Sequence, residues 1–402
     1  METDHRVVVG DSRDLAGVPD DSVELVVTSP PYPMVEMWDD LFVDLEPAIG
    51  ECIDAGDGQG AFELMHGQLD AVWEQLERVL VDGGIACINV GDATRTVGDS
   101  FRVYQNHSRV VDAFEALGFD PLPEVLWRKP ANSAAKFMGS GMLPPNAYVT
   151  LEHEYILIFR NGPGRRRFQP GSERRYSAAF FWEERNRWFS DLWTDITGEL
   201  QALDDDGLQA NDLQTLDDDG PQSFESDGSQ ALKGDRPQSF EGDGSQALDD
   251  GTQAIEDDEL RDRSGAYPFE IPYRLINMYS VYGDTVLDPF WGTGTTSLAA
   301  MVAARNSIGY ELDKAFTRVF HDRVADVRGI SRQVVGTRLD DHRAFVAQRR
   351  DAGESFTYEA EHYAFPVTTK QERTLKFYVV EAIEATNSGY RASHRPVEGE
   401  EL

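Results

Sequence analysis

The stretch Asp288-Pro289-Phe290-Trp291-Gly292-Thr293-Gly294-Thr295-Thr296 decides the fold, read together with Thr28-Ser29-Pro30-Pro31-Tyr32 far upstream. The first follows Thr285-Val286-Leu287 and the second follows a mostly apolar run from Val23 to Val27, so each reads as a loop leaving the carboxyl end of a buried parallel strand. In open α/β sheets that edge is where ligands bind. Gly292 and Gly294 stand between a strand and an Ala-rich helix, where a missing Cβ lets the backbone approach a nucleotide-like ligand. No Lys follows the second glycine and the G-x-G-x-x-G spacing is absent, so neither a phosphate loop nor a dinucleotide fingerprint fits. Glu311 ends the next expected strand, Ser307 to Tyr310, where nucleotide-binding folds put the carboxylate that accepts both ribose hydroxyls. A solvated strand-end acid is the plainer reading of the same residue.

Outward from these loops the chain alternates. Val7 to Val9 reads as a strand into Gly10-Asp11. Leu69, Val72, Leu76 and Val79 recur at helical spacing before a stop at Gly83-Gly84, and Ile85 to Val90 follows as a strand. Val110, Val111, Phe114 and Leu117 mark a helix closed by Gly118, and Val125 to Trp127 and Tyr155 to Phe159 read as edge strands. Further on, Pro272 to Tyr279 and Thr295 to Ala304 read as helices, which completes an alternating α/β pattern. Residues 201–262 break it with an imperfect repeat, Pro221 to Leu232 and Pro237 to Leu248, rich in Asp, Gly, Ser and Gln. That composition cannot bury a core, so the segment reads as a disordered insertion with either no role or a solubilising, anion-repelling one.

The net charge is −35 over 402 residues, and the insertion, with 19 acids and 3 bases, carries less than half of it. Only six of the 37 basic residues are Lys. An acid-rich, Lys-poor surface suits molar salt, where the Debye length is about 3 Å and self-repulsion is screened. A halophile is the reading favoured here, against a mesophilic acidic protein with an acidic insert. Two cysteines, Cys52 and Cys87, are too few for a disulfide framework or a structural zinc site, and no metal-ligand spacing is present, so no metal is expected. The polar amino terminus and the lack of a long apolar stretch point to a cytoplasmic protein with no membrane partner.

The two prolines after Ser29 make a rigid extended turn, so the Pro30 carbonyl and the Ser29 hydroxyl can be held as acceptors for an exocyclic amino group. Such an amine shares its lone pair with the ring. Hydrogen bonds that draw its protons out of plane, with Tyr32 stacked on the base, localise that pair and aim it at a methyl donor. With these residues in this order, the chain resembles a permuted (beta-class) DNA amino-methyltransferase that uses S-adenosylmethionine. The resemblance covers about Val7 to Val324 without the insertion. It implies a Rossmann-like class I methyltransferase sheet, circularly permuted, with a small target-recognition region.

The resemblance also implies roles. Asp11 would read the donor adenine; Asp288, Pro289, Phe290, Gly292, Gly294, Thr295 and Glu311 would hold the rest of the donor. Ser29, Pro30, Pro31 and Tyr32 would be catalytic. Ala266-Tyr267-Pro268 through Pro272, Arg274, Leu275 and Ile276 resemble the helix packed on the donor, and Trp291 is the one departure from the commoner donor motif. Ser29, with the extension Pro33 to Asp39, resembles the branch that methylates cytosine at the 4-amino group. The site would be a short duplex, with CTAG suggested by likeness to haloarchaeal solitary methylases, and the target base would be extruded onto Tyr32. Alternatives are an adenine 6-amino enzyme and a non-catalytic nucleic-acid-binding relic, while RNA or protein-amide methylation is disfavoured by Ser rather than Asn before Pro30. Ring-carbon methylation needs a nucleophilic Cys, and neither Cys52 nor Cys87 has the setting for one. A cognate restriction endonuclease is a further possible partner.

Double-stranded DNA would meet the one basic island, Arg165, Arg166, Arg167, Arg174, Arg175, Arg185 and Arg187, interleaved with aromatics, with Arg128 and Lys129 and also Lys136 adding phosphate contacts. A solvated Arg-rich turn is the alternative. The expected division is 1–160 catalytic half, 161–200 target recognition, 201–262 acidic insertion, 263–330 donor half and 331–402 an appendage of unknown role. The charge reading has a direct test. The thermal unfolding midpoint should rise from dilute buffer to about 1 M KCl; a midpoint highest in dilute buffer would count against the halophile reading.

Overall fold

Val23, Leu25, Val26, Val27 and Thr28 are all buried, the pattern of a strand covered on both faces. Val26 joins one core layer with Trp73, Leu76 and Phe114. Leu25 and Val27 join the other with Ile276, Val286 and Leu298. This strand lies near the middle of a ten-stranded sheet in the computed structural model, which describes residues 1–129, 145, 148–196 and 267–399. The acidic repeat and Lys136 lie outside the described residues.

The strands are β1 (Glu2–Val9), β2 (Val23–Thr28), β3 (Leu80–Val90), β4 (Ala93–Val97), β5 (Ser100–Tyr104), β6 (Asp120–Arg128) and β7 (His153–Arg160), continuing with β8 (Leu192–Trp193), β9 (Thr285–Asp288), β10 (Asn306–Glu311), β11 (Tyr358–Glu359), β12 (Pro366–Val367), β13 (Tyr378–Thr386) and β14 (Gly389–Pro396). Their order in the large sheet is β13-β14-β1-β10-β9-β2-β3-β7-β6-β8. From β1 to β3 neighbouring strands are parallel; β7 runs against both β3 and β6, and β14 runs against β1. Two late strands, β9 and β10, are therefore inserted between two early ones. Pairing of Val9 with Glu311 and of Gly309 with Asp288 brings the carboxyl ends of β1, β10 and β9 level, beside that of β2. The chain order reverses between β9 and β2, and open sheets bind ligands at such a switch.

The helix Gly58–Val79 begins eleven residues before Leu69, the first position of the expected pattern, where the Asp57 carboxylate accepts from Gly60 N at 2.9 Å. It buries Phe62, Met65, Leu69, Trp73 and Leu76 along one stripe. Gly83-Gly84 is not the helix stop that the sequence suggests. It lies inside β3, where Gly83 has φ +75° and an added Cβ would meet Arg166 N at 2.5 Å.

The segment 331–402 is likewise not a separate appendage. The helix Val327–Asp351 crosses the expected boundary, and β13 and β14 extend the main sheet beyond β1. Phe181, Leu339, Phe365 and Phe377 form a third core cluster that joins this end of the chain to the Arg-rich stretch. Within it, Arg338 donates to both oxygens of Glu184 at 2.5 and 2.7 Å, with both side chains buried. Its guanidinium lies 4.5 Å from the Phe377 ring centre. Removing one partner of such a pair strands a buried charge. Arg338→Met should cost about 3–5 kcal/mol in denaturant unfolding, whereas joining it to Glu184→Leu should recover much of the loss. Equal losses in the single and double variants would refute this account of the pair.

Candidate active site

The two loops are tied together by one buried carboxylate. Asp288 Oδ1 accepts from Thr28 Oγ1 at 2.6 Å and from Phe290 N at 3.1 Å, and its Oδ2 accepts from Thr296 Oγ1 at 2.6 Å. Thr28 ends β2, Phe290 is in the donor loop and Thr296 opens the helix Thr295–Val302. Burial pushes the Asp288 carboxyl up to about 6, against the hydrogen bonds that lower it. Tyr267 adds a hydroxyl contact to Thr296 at 2.5 Å. Trp291 turns inward, donating from Nε1 to Ser297 Oγ at 2.8 Å and packing edge-on against Phe320. A side chain at Gly309 would collide with the Trp291 ring, so this close approach requires glycine there.

Above this base lies a cavity of about 490 Å³ at the carboxyl ends of the strands. Gly10, Asp11, Pro289, Phe290, Gly292 and Glu311 line one end, and Ser29, Pro30, Pro31 and Tyr32 line the other. Glu311 is held by backbone N–H groups of Gly292 and Asp313, each at 2.8 Å, and burial raises its carboxyl from the ordinary range. Its remaining lone pairs suit ribose hydroxyls, Phe290 offers an apolar face, and a side chain at Gly10 would meet nothing closer than 3.9 Å. This donor set fits a nucleoside sulfonium. Asp11 lines the same end but is engaged by Arg13 at 2.6 and 2.9 Å, which holds its carboxyl below the usual range. Asp288, Gly294 and Thr295 sit behind the wall rather than in it. Gly294, at φ +76°, caps the helix, and Arg323 donates to Thr295 Oγ1 and to the Thr293 carbonyl.

At the other end, the Tyr32 hydroxyl donates to Glu154 Oε2 at 2.9 Å and meets Ser29 Oγ at 3.1 Å. Asn89 Nδ2 donates to the Tyr32 hydroxyl at 2.8 Å and to Glu154 Oε2 at 2.7 Å, and Lys129 Nζ meets Glu154 Oε1 at 2.7 Å. Burial and the adjacent carboxylate keep the Tyr32 phenol well above its ordinary range. Sequence reasoning found Ser29 and Tyr32 and missed Asn89 and Glu154. The available signal was Glu154 itself, an acid opening an otherwise apolar strand, since acids are buried only when paired. Met34, at φ +67°, turns the chain so that Met37 and Trp38 reach the cavity wall. Cys87 is buried within β3 and its thiol is pushed up by desolvation, which leaves no nucleophile there.

The basic island lies elsewhere. Arg166 and Arg174 both donate to Asp284, which is fully buried just before β9. Arg166 is largely covered in this pair, with a side chain 18% exposed, whereas that of Arg174 is 47% exposed. Asn161 pairs with Gly83 and Gly84, so the arginine turn sits at the amino ends of β3 and β9, a strand length or roughly 15–20 Å from Ser29. Arg165, Arg167, Arg175 and Arg185 are exposed, and Arg187 lies 3.8 Å from Asp341. Phe181, Trp188 and Trp193 are core, not stacking surfaces. Arg128 and Lys129, in contrast, stand at the catalytic edge, Arg128 beside Glu152 at 3.4 Å.

A donor cavity joined to a Ser-Pro-Pro-Tyr loop at the switch of a parallel sheet defines a methyltransferase site. The family described as DNA methylase (N6_N4_Mtase) matches residues 23–322, and the chain belongs to it. It is 45% identical over 381 residues to the type II methyltransferase M.MthZI of Methanothermobacter thermautotrophicus, covering 94% of this chain and 91% of the relative. It is 41% identical to the type II methyltransferase M.MjaI of Methanocaldococcus jannaschii over 84% of this chain and 95% of that one. The structure is similar to that of TTHA0409 from Thermus thermophilus complexed with S-adenosyl-L-methionine, with a TM-score of 0.53 and 27% identity over 80% of this chain and 95% of that chain. The protein is a DNA amino-methyltransferase whose methyl donor is S-adenosyl-L-methionine. Among the described residues no helix is long and apolar enough to cross a membrane.

Asp288 yields a prediction with a defined sign. Its folded pKa, about 6, is above the unfolded 3.8, so the folded state binds the extra proton between these values and stability falls as pH rises through them. Asp288→Asn should keep the fold and lose that decline in thermal unfolding across this window. Asp288→Ala should lower both the unfolding midpoint and calorimetric donor affinity, the latter by about tenfold or more for lost charge-assisted hydrogen bonds. Unchanged affinity in the Ala variant would contradict the role given to this clamp.

Proposed function

We propose that the enzyme methylates the exocyclic 4-amino group of cytosine within a short palindromic duplex site such as CTAG. The observation that carries this reading is the placement of Ser29 Oγ and the Pro30–Pro31 turn in one cavity with the donor-binding wall. The bound donor supplies an electrophilic methyl group. Ser29 Oγ and the Pro30 carbonyl accept the two amine hydrogens and turn the nitrogen lone pair toward it, while the ring of Tyr32, its hydroxyl anchored by Asn89 and Glu154, forms the surface for the extruded base. Gly91 permits this, because an added Cβ would press on the Tyr32 ring at 3.1 Å and on Glu154 at 3.3 Å.

Two features support cytosine over adenine. A serine hydroxyl, rather than a carboxylate, faces the amine. Lys129 borders the same cavity with donors that suit the cytosine O2 carbonyl, where adenine presents only a C–H. DNA phosphates are proposed to meet Arg128 and Lys129, which stand at the catalytic edge. A restriction endonuclease with the same site is the proposed companion, and a cytosol of high salt the proposed setting.

Nucleoside digestion of DNA modified by the purified enzyme, followed by mass spectrometry, should yield 4-methylcytosine, with duplexes carrying CTAG modified and those carrying a scrambled site untouched. Ser29→Ala should lower the methylation rate by on the order of 10²-fold, as loss of one oriented acceptor does. Exclusive 6-methyladenine would replace cytosine by adenine as the target.

A further inference from the structure

The hydrogen bonds around Glu154 run in one direction, and the direction has chemical content. A phenol has a single hydrogen. Once Tyr32 has given it to Glu154 Oε2, the Tyr32 oxygen can only accept, and it does so from Asn89 Nδ2 at 2.8 Å and from Ser29 Oγ at 3.1 Å. Ser29 has therefore spent its own hydrogen on Tyr32 and presents lone pairs to the cavity. Asn89 points its amide nitrogen at the same carboxylate and leaves Oδ1 buried with no hydrogen-bond partner among the described residues, so the surroundings of Glu154 are all donors. Beyond the carboxylate, Lys129 meets Oε1 at 2.7 Å with a side chain 43% exposed, which opens the far end of the chain to water.

We propose that Glu154 is the terminal acceptor of the proton released by the target amine, reached through Ser29 and Tyr32. This rests on the amine-methylation reading above. The amine nitrogen bonds to the methyl carbon as the carbon–sulfur bond breaks with its electron pair left on sulfur, and the nitrogen then bears a formal positive charge. That charge is discharged when one N–H proton passes to Ser29 Oγ, the Ser29 proton passes to Tyr32 Oη, and the Tyr32 proton passes to Glu154 Oε2. Glu154 ends as a neutral acid and returns its proton to water at the Lys129 side. Nothing is oxidised or reduced, and both hydroxyls end neutral, so no ionised phenol is formed.

The titratable groups that face Glu154 are Tyr32 from the catalytic loop and Lys129 from the end of β6, with Tyr267 beyond Tyr32. Both phenols are held above their ordinary range by burial.

The test is single-turnover methylation of a duplex in H2O and in D2O by wild type, Glu154→Gln, Tyr32→Phe and the double variant. Donor affinity is followed by calorimetry, base extrusion by 2-aminopurine fluorescence and folding by the unfolding midpoint. Each single variant should slow transfer by on the order of 10²-fold, lose the solvent isotope effect, and keep donor affinity and extrusion. The double variant should be no slower than either single one, because both interrupt one path. A Gln variant with the wild-type rate and solvent isotope effect, or losses that multiply in the double variant, would overturn the relay. Tyr32→Phe removes one oxygen and keeps the ring, so it decides the matter should the Gln variant fold poorly. An adenine product would change the base and leave the relay standing, since either amine must shed a proton; absence of methyl transfer by the wild type would instead remove the functional reading itself.

Discussion

The site depends on the carboxylate of Asp288. It joins groups whose positions in the chain differ by 260 residues, the last residue of β2 and the loop after β9, through three hydrogen bonds from three different elements. Amine and methyl carbon come from these two sides, so this carboxylate sets the line along which they meet. In-line transfer tolerates little error, and a displacement of about 1 Å can cost on the order of 10²-fold in rate. Desolvating a carboxylate is expensive, and the raised pKa of Asp288 records that cost. It is accepted because no neutral side chain offers two oxygens, each able to take a donor from a different direction.

Much of this was legible in the sequence where a local signal coincided with a strand end. Ser29, Phe290 and Glu311 each lie within three residues of the end of an apolar run, so the end of the run locates them. Glu154 carries no such mark. It belongs to the amino end of an antiparallel strand, and only the return of β7 beside β3 brings it to the edge that holds Ser29. The first three turns of the helix Gly58–Val79 were unreadable for another reason, since Gly58, Gly60 and Gly67 lower its intrinsic propensity and the Phe62 and Met65 stripe prevails through tertiary burial.

The arginine-rich stretch shows the limit of counting charge. A run of guanidinium groups suits phosphate and suits a buried carboxylate equally well, and sequence cannot say which anion is within reach. Here Asp284 takes Arg166 and Arg174, Glu184 takes Arg338, and the aromatics among them close a core that also fastens β13. The same geometry explains why the expected boundary near residue 330 has no counterpart. The long helix across it packs under the sheet on one side and over the third cluster on the other.

The insertion of β9 and β10 between β1 and β2 bears on biosynthesis. A ribosome delivers the amino-terminal strands first, yet β1 and β2 are not neighbours and have no partner on their facing edges until the later pair arrives. The nascent chain must therefore carry two open parallel edges and half a core through most of its translation, the condition under which unpaired strands recruit one another between molecules. The acidic repeat 201–262 is translated within that interval, so the closing strands follow the most acidic stretch of the chain off the ribosome.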